Sequence, residues 1–188
     1  MRRFATSLSL VFLAILLTGS CDRGAPLAPD GGDPALKASA RSSNTVAVQA
    51  TGSGHFTFGD DVWRTFSFNA KVKANGDVTG SFQLVAHRGG QKAGTYHGNV
   101  ICLSVRDNQA WVGGYFTKMP NPDRVGTWLA FRAVDNGEGQ GDAPDQISRT
   151  GWAGQEPEGR DVVEAHCLNQ PEGQAVTNIE AGNIQVRG

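Results

Sequence analysis

The stretch from Phe66 to Ala86, FSFNAKVKANGDVTGSFQLVA, decides the fold. On its first arm Phe66, Phe68, Ala70 and Val72 alternate with Ser67, Asn69, Lys71 and Lys73. On its second arm Val78, Gly80, Phe82, Leu84 and Ala86 alternate with Thr79, Ser81 and Gln83. A period of two marks strands with one wet and one buried face. The turn then sets the register. A two-residue loop at Asn75-Gly76 would oppose Val72 to Thr79 and mix the apolar set with the polar one, although directly opposed residues must share a face. A three-residue loop, Ala74-Asn75-Gly76, opposes Val72 to Val78, Ala70 to Gly80 and Phe68 to Phe82. It leaves the charge pair Lys73 and Asp77 to close the turn. Gly76 then takes the left-handed position of a type I turn with a G1 bulge.

The same patterning extends outward from this hairpin. Thr45 to Ala50 and His55 to Phe58 read as strands separated by Gly52-Ser53-Gly54, and His87 to Gly94 as a polar loop. A second hairpin is predicted from about Tyr96 to Thr117. With Asp107-Asn108 as its loop, Val105 opposes Ala110, Leu103 opposes Val112 and Ile101 opposes Gly114. Its other face carries Val100, Cys102, Trp111 and Tyr115, so a covering element is expected there. Further strands fall at Gly126 to Val134, Gln146 to Arg149 and around Asn183 to Arg187, while Asp161 to Cys167 reads as a short helix or a strand. Many short strands without a long 3.6-residue period predict an all-β fold. A small antiparallel barrel of about eight strands fits best, because Gly80, Gly98, Gly113 and Gly114 inside strand patterns favour strong coiling; a two-sheet β-sandwich is the alternative.

Three regions are expected. Residues 1–20 read as a signal peptide, with Arg2 and Arg3 ahead of an apolar run from Leu8 to Leu17 broken only by Ser9. LLTGSC resembles the bacterial lipoprotein signal, in which the cysteine is lipidated and begins the mature chain. That resemblance makes Cys21 the lipidation site, although Thr18 stands where the signal usually has leucine. Ordinary cleavage nearby, which would leave a secreted or periplasmic soluble protein, and an uncleaved anchor are the alternatives. Residues 21–44, rich in Pro, Gly, Ala, Asp and Ser, read as a flexible tether with a reach on the order of 25 Å. Residues 45–188 make one all-β domain, long enough to bury a core. Without Arg2 and Arg3, 15 basic residues face 18 acidic ones, a charge of about −3. No basic cluster is present, so no nucleic-acid partner is expected.

Chemistry-bearing residues are few. With Cys21 taken by lipid, Cys102 and Cys167 are expected to form a disulfide in an exported protein, against the alternative of two separate buried thiols. The bond would close a 65-residue loop worth about 4 kcal/mol on the chain-entropy model, and pin the C-terminal region over the second hairpin. Asp135, Asn136, Glu138, Asp142 and Asp145 bring oxygen ligands together in a glycine-rich loop where calcium is one reading. The spacing is not that of an EF-hand, and a plain structural turn is the other reading. His55, His87, His97 and His166 lack metal-ligand spacing, and His166 beside Cys167 would suggest a thiol nucleophile only without the disulfide. Trp63, Trp111, Trp128 and Trp152 read as core or edge packing, or as a glycan-binding face. The chain contains no G-x-S-x-G, H-E-x-x-H, C-x-x-C or phosphate-binding loop.

Taken together, FSFNAKV–GDVTGSFQL, NVICLSV–AWVGGYF, VDNGEG–DQIS and the terminal GNIQV resemble a family of uncharacterised bacterial exported β-domains. The resemblance implies a β-domain and an exported location, and no activity. The expectation is a non-catalytic protein of the bacterial cell envelope, held to the membrane through lipid and offering its domain to another protein or a glycan. The alternative is a ligand-binding β-barrel for a small apolar molecule or glycan. An interior wide enough to hold a ligand would favour that alternative, and the Phe66, Phe68, Phe82 and Leu84 cluster argues against it.

Overall fold

The computed structural model describes residues 45–58, 61–139 and 141–188. The expected signal peptide, tether and Cys21 lie outside these residues. The chain divides into two units, 1–38 and 39–188, and every described residue belongs to the second.

The described residues form a mostly β structure. One strongly curled antiparallel sheet of ten strands makes a half-barrel, joined by one helix. The strands are β1 (Val46–Phe58), β2 (Val62–Lys73), β3 (Val78–Arg88), β4 (Gln91–Arg106), β5 (Gln109–Lys118), β6 (Trp128–Val134), β7 (Gln146–Ser148), β8 (Gly151–Gly154), β9 (Val176–Asn178) and β10 (Ala181–Arg187). The helix α1 covers Glu158–Asn169. Neighbours run β10-β1-β2-β3-β4-β5-β6-β7-β9, with β8 also paired to β6. The strands lie in one sheet rather than the two layers of a sandwich. They number ten rather than about eight, with the short strands β8 and β9 falling in the segment from Gly151 to Asn178 where no strand is expected apart from the alternative reading of Asp161 to Cys167.

The β2–β3 hairpin has the register its sequence requires: Val72 opposes Val78, Ala70 opposes Gly80 and Phe68 opposes Phe82. The Lys73 amide donates to the Asp77 carbonyl at 2.9 Å, the Gly76 amide to the Lys73 carbonyl at 2.9 Å, and Gly76 has φ +89°. The Asp77 carboxylate accepts from the Asn75 side-chain amide at 2.8 Å.

Three local readings need correction. The glycines at 52 and 54 do not divide β1. A Cβ at Gly52 would stand 2.7 Å from the Phe68 ring, so the glycine admits that ring beneath a continuous strand. His87 to Gly94 is not a loop: β3 and β4 meet through Gly89-Gly90, both with positive φ, and Arg88 opposes Gln91. In the β4–β5 hairpin Val105 opposes Ala110 and Leu103 opposes Val112, but a bulge at Ile101 sets Gly114 against Val100. The extra residue reverses two side chains. Val100 joins the main core, while Ile101 turns to the outer face with Cys102 and Tyr115.

That outer face carries the cover its apolar residues demand. Gly159, Val163 and Cys167 recur every four residues on α1 and are buried, and Val163 packs with Trp128, Ala130, Ile101 and Tyr115. Cys102 and Cys167 are disulfide-bonded with a Cα separation of 6.2 Å, tying α1 to β4. The opposite, concave face holds the main core: Phe56, Phe66, Phe68, Phe82, Phe116, Leu129, Phe131, Ile147 and Ile184 are all buried. Its rings meet edge to face, Phe68 against Phe131 at 5.2 Å and Phe82 against Phe116 at 5.4 Å. Such pairs add about 1 kcal/mol each to the burial of their area.

Candidate functional site

Two places gather polar chemistry: the loop between β6 and β7, and the open end of the half-barrel beside β8. The loop is the acidic segment, and its carboxylates are engaged by backbone. Asp135 Oδ1 accepts from the Gly137 amide at 3.0 Å, and Oδ2 from the Val186 amide at 2.9 Å. Asp145 Oδ1 accepts from the Asn136 amide at 2.8 Å, and Oδ2 from the Ile184 amide at 2.6 Å. Each carboxylate therefore holds its own loop with one oxygen and strand β10 with the other. Alternate residues of an edge strand point their N–H groups the same way, which is why residues 184 and 186 are the pair engaged.

The remaining loop residues complete this seam. Glu138 Oε1 accepts from the side-chain amides of Asn183 at 2.8 Å and Gln185 at 2.6 Å. Those two hydrogen bonds, Gln185 first, hold the Glu138 carboxyl below its usual range. Asn136 donates to the Pro144 carbonyl at 2.7 Å, and Asp142 accepts from the Gly139 amide within the loop. The Asp145 carbonyl takes the Ile179 amide at 2.8 Å. All five residues read as a calcium set are thus engaged in hydrogen bonds of the loop or the seam. Among the described residues no group of three or more His, Cys, Asp or Glu side chains is placed to hold a metal ion. Asp145 is 5 % exposed, and a buried carboxylate needs donors of this kind in place of water.

The other cysteine and histidine readings resolve by position. Cys167 is in the disulfide, so it offers no thiol nucleophile beside His166. His166 Nε2 lies 3.2 Å from the Phe131 carbonyl, and burial under α1 pushes its pKa below the usual histidine value. His55 pairs with Glu180 at 3.3 Å. His87 stacks on Trp63, ring centroids 3.6 Å apart. His97 sits on β4 opposite Gln83, among hydroxyl and amide side chains of the outer face.

The tryptophans divide. Trp111 and Trp128 are buried, Trp111 donating to the Pro171 carbonyl at 3.1 Å with Arg106 5.0 Å from its ring centroid. Of the four, Trp152 is the one most open to solvent, with 42 % of its surface exposed. It opposes Leu129 across β6–β8 and so faces the concave side, where its ring meets Phe116 at 5.5 Å and Tyr96 at 6.3 Å. Between β7 and β8 the chain breaks pairing with β6, and the Ser148 hydroxyl accepts the Arg132 amide instead. The break places Arg149 and Thr150 at the open end, where they line a depression of about 260 Å³ with Val62, Arg64 and Trp152. Below it the phenylalanine-packed interior leaves a cavity of only about 10 Å³.

Sequence reasoning missed both the seam and the mouth. The signal for the mouth was present: Arg64 lies two residues before Phe66 and therefore shares its inward face. The signal for the seam was weaker, two aspartates bracketing a loop that ends beside a buried strand. Comparison with known proteins found no matching family model, no similar curated protein and no similar solved structure.

Proposed function

We propose that this chain is a non-catalytic, lipid-anchored protein of the bacterial cell envelope whose β-domain serves a structural or interaction role. The observation that carries the reading is the engagement of its reactive groups in architecture. The acidic loop holds β10, the two cysteines hold α1, and aromatic rings fill the interior. A disulfide of this kind persists in oxidising compartments, which supports export. The likeness of the N-terminal LLTGSC to a lipoprotein signal supports Cys21 as the anchor. We read the half-barrel as a small barrel closed across its seam by carboxylates rather than by a ladder.

Metabolic labelling with an alkyne fatty acid tests this function. The full chain expressed in a bacterial host takes up label and enters the membrane fraction, and Cys21→Ala abolishes both. An unlabelled chain, recovered from the cytosol with Cys102 and Cys167 as free thiols, contradicts it. The alternative, a barrel for a small apolar ligand, is opposed by the 10 Å³ interior, since ligand sites commonly exceed about 300 Å³. A glycan is favoured over an apolar molecule by the exposed indole at the mouth.

A further inference from the structure

We infer that the outer face of strands β1 to β5 binds a neutral, extended polysaccharide chain, laid across the strands on a belt of hydroxyl and amide side chains. The inference rests on the reading of the domain as a non-catalytic interaction module, and it names a surface and a ligand class for it.

Register sets the belt. On β2 and β3 the buried Phe66, Phe68, Phe82 and Leu84 alternate with residues that point outward. Pairing then aligns Ser67, Gln83 and His97 in one row across β2, β3 and β4, and Asn69, Ser81 and Asn99 in the next. On β1 the rows continue through Ser53 and Thr51. On β5 the second row ends at Tyr115, and in the first the register shifts by one residue opposite His97. The added residue, Thr117, lines a depression of about 290 Å³ in the belt, while Lys118, which also pairs with His97, lies outside it. Bulges re-aim side chains in this way. None of the ten residues lining the depression is Asp, Glu, Lys or Arg.

Neighbouring side chains hold the belt ready. The Asn69 side-chain amide donates to the Ser81 hydroxyl at 3.1 Å, and that of Asn99 to the Tyr115 hydroxyl at 3.4 Å. The Thr117 hydroxyl donates to the His97 carbonyl at 3.3 Å. Both asparagines are thus oriented by a neighbour, which lowers the entropy lost when a ligand engages them. Among the described residues no hydrogen bond takes up the Gln83 amide, the Ser67 hydroxyl or the His97 ring. Beyond β1, Asn183 and Gln185 of β10 are already held by Glu138, which ends the belt there.

Composition selects the ligand. An acidic or phosphate-rich chain needs basic side chains, and the depression has none. The centre of a protein interface is rich in aromatic residues, Met and Arg and poor in Ser, the reverse of these rows. Asparagine is also depleted from strands, so a face that only meets water has no need of Asn69 and Asn99. Hydroxyl and amide groups both donate and accept, which matches the hydroxyls of a neutral sugar. Strands lie about 4.8 Å apart, close to the advance of one unit in an extended β-linked pyranose chain. Successive sugar units therefore meet successive strands.

Titration of the full chain with cellohexaose, maltohexaose and hexagalacturonate tests the surface, read by calorimetry and amide NMR shifts. Cellohexaose binds with an affinity that salt leaves unchanged, and the shifts centre on Gln83, His97 and Asn99. Gln83→Ala and Asn99→Ala each lower the affinity about fivefold with an unchanged melting temperature, the worth of one neutral hydrogen bond. Thr79→Ala, on the same face but outside the rows, leaves it intact. No binding by the folded chain, shifts confined to other strands, or full affinity in the Gln83→Ala, Asn99→Ala double variant overturns the proposal. Equal binding of maltohexaose overturns the extended-chain assignment, and tighter binding of hexagalacturonate overturns the neutral one. The same amides shifting with a sugar-free envelope protein, and with none of the sugars, assigns the face to a protein partner and overturns the glycan. Absent binding in a chain that is lipid-labelled at Cys21 overturns this surface alone; cleavage of cellohexaose overturns the non-catalytic reading instead.

Discussion

At the scale of single residues, two glycines show how differently the lack of a side chain can be required. Gly76 has open space around it, so Gly76→Ala meets only the penalty of its positive φ, about 1 kcal/mol. Gly98 has no such room. A Cβ there would lie 2.0 Å from the Phe82 ring and 2.4 Å from the Tyr115 carbonyl oxygen. Gly98→Ala therefore displaces a core ring or a strand and is expected to cost more than about 3 kcal/mol. Urea denaturation of the two variants separates them; equal losses would contradict the packing described here. The requirement at Gly76 was legible from the hairpin register alone. That at Gly98 was not, because it depends on a ring sixteen residues away. His166 makes a prediction of a different kind. Burial lowers its folded pKa, so below the ordinary value near 6.5 the unfolded chain binds more protons than the folded one. Stability is full above that value and falls as pH drops through the window down to the lowered pKa. His166→Gln removes that part of the acid slope, measured as melting temperature between pH 7 and 5.

At the scale of elements, the decisive relation is between α1 and the β4–β5 hairpin. An amphipathic helix normally shows a wide apolar stripe, but α1 buries only Gly159, Val163 and Cys167, while Val162 and Leu168 are exposed. This narrow stripe explains why Asp161 to Cys167 could be read as helix or strand. The need for a cover was nevertheless legible in the hairpin, whose second face was too apolar for solvent. The bulge at Ile101 was not, because an extra residue exchanges the two faces without altering composition. With so little helix surface buried, the disulfide supplies much of the attachment. Replacing both cysteines by alanine is expected to cost about 2–4 kcal/mol. Hydrogen exchange in this variant rises first in α1 and at the Trp128–Ala130 end of β6, and reaches β2–β3 last. Uniform loss of protection would show that the helix folds only with the whole sheet.

At the scale of the molecule, the seam decides whether the sheet behaves as an open or a closed body. Asp145 accepts two backbone amides, the buried one of Ile184 and the partly buried one of Asn136, that would otherwise lose this partner. Asp145→Ala is expected to cost about 3 kcal/mol, and Asp145→Asn, which keeps one acceptor, roughly half of that. Because the carboxylate oxygens already accept backbone amides, adding calcium or a chelator leaves the melting temperature unchanged; a rise of several degrees with calcium would return the loop to the metal reading. The curl of the sheet was legible in the glycine-interrupted strands, but the seam was not, since it joins side chains to a backbone distant in sequence. The same seam shields β10, whose outward amides would otherwise offer a template to a foreign strand. Strand β1 has a further consequence. It is paired on both sides, to β2 along its length and to β10 from Gln49 to His55, and the chain enters it at Val46. A force applied lengthwise along β1 at Val46 therefore loads both ladders in shear. Many bonds must then fail together rather than one at a time.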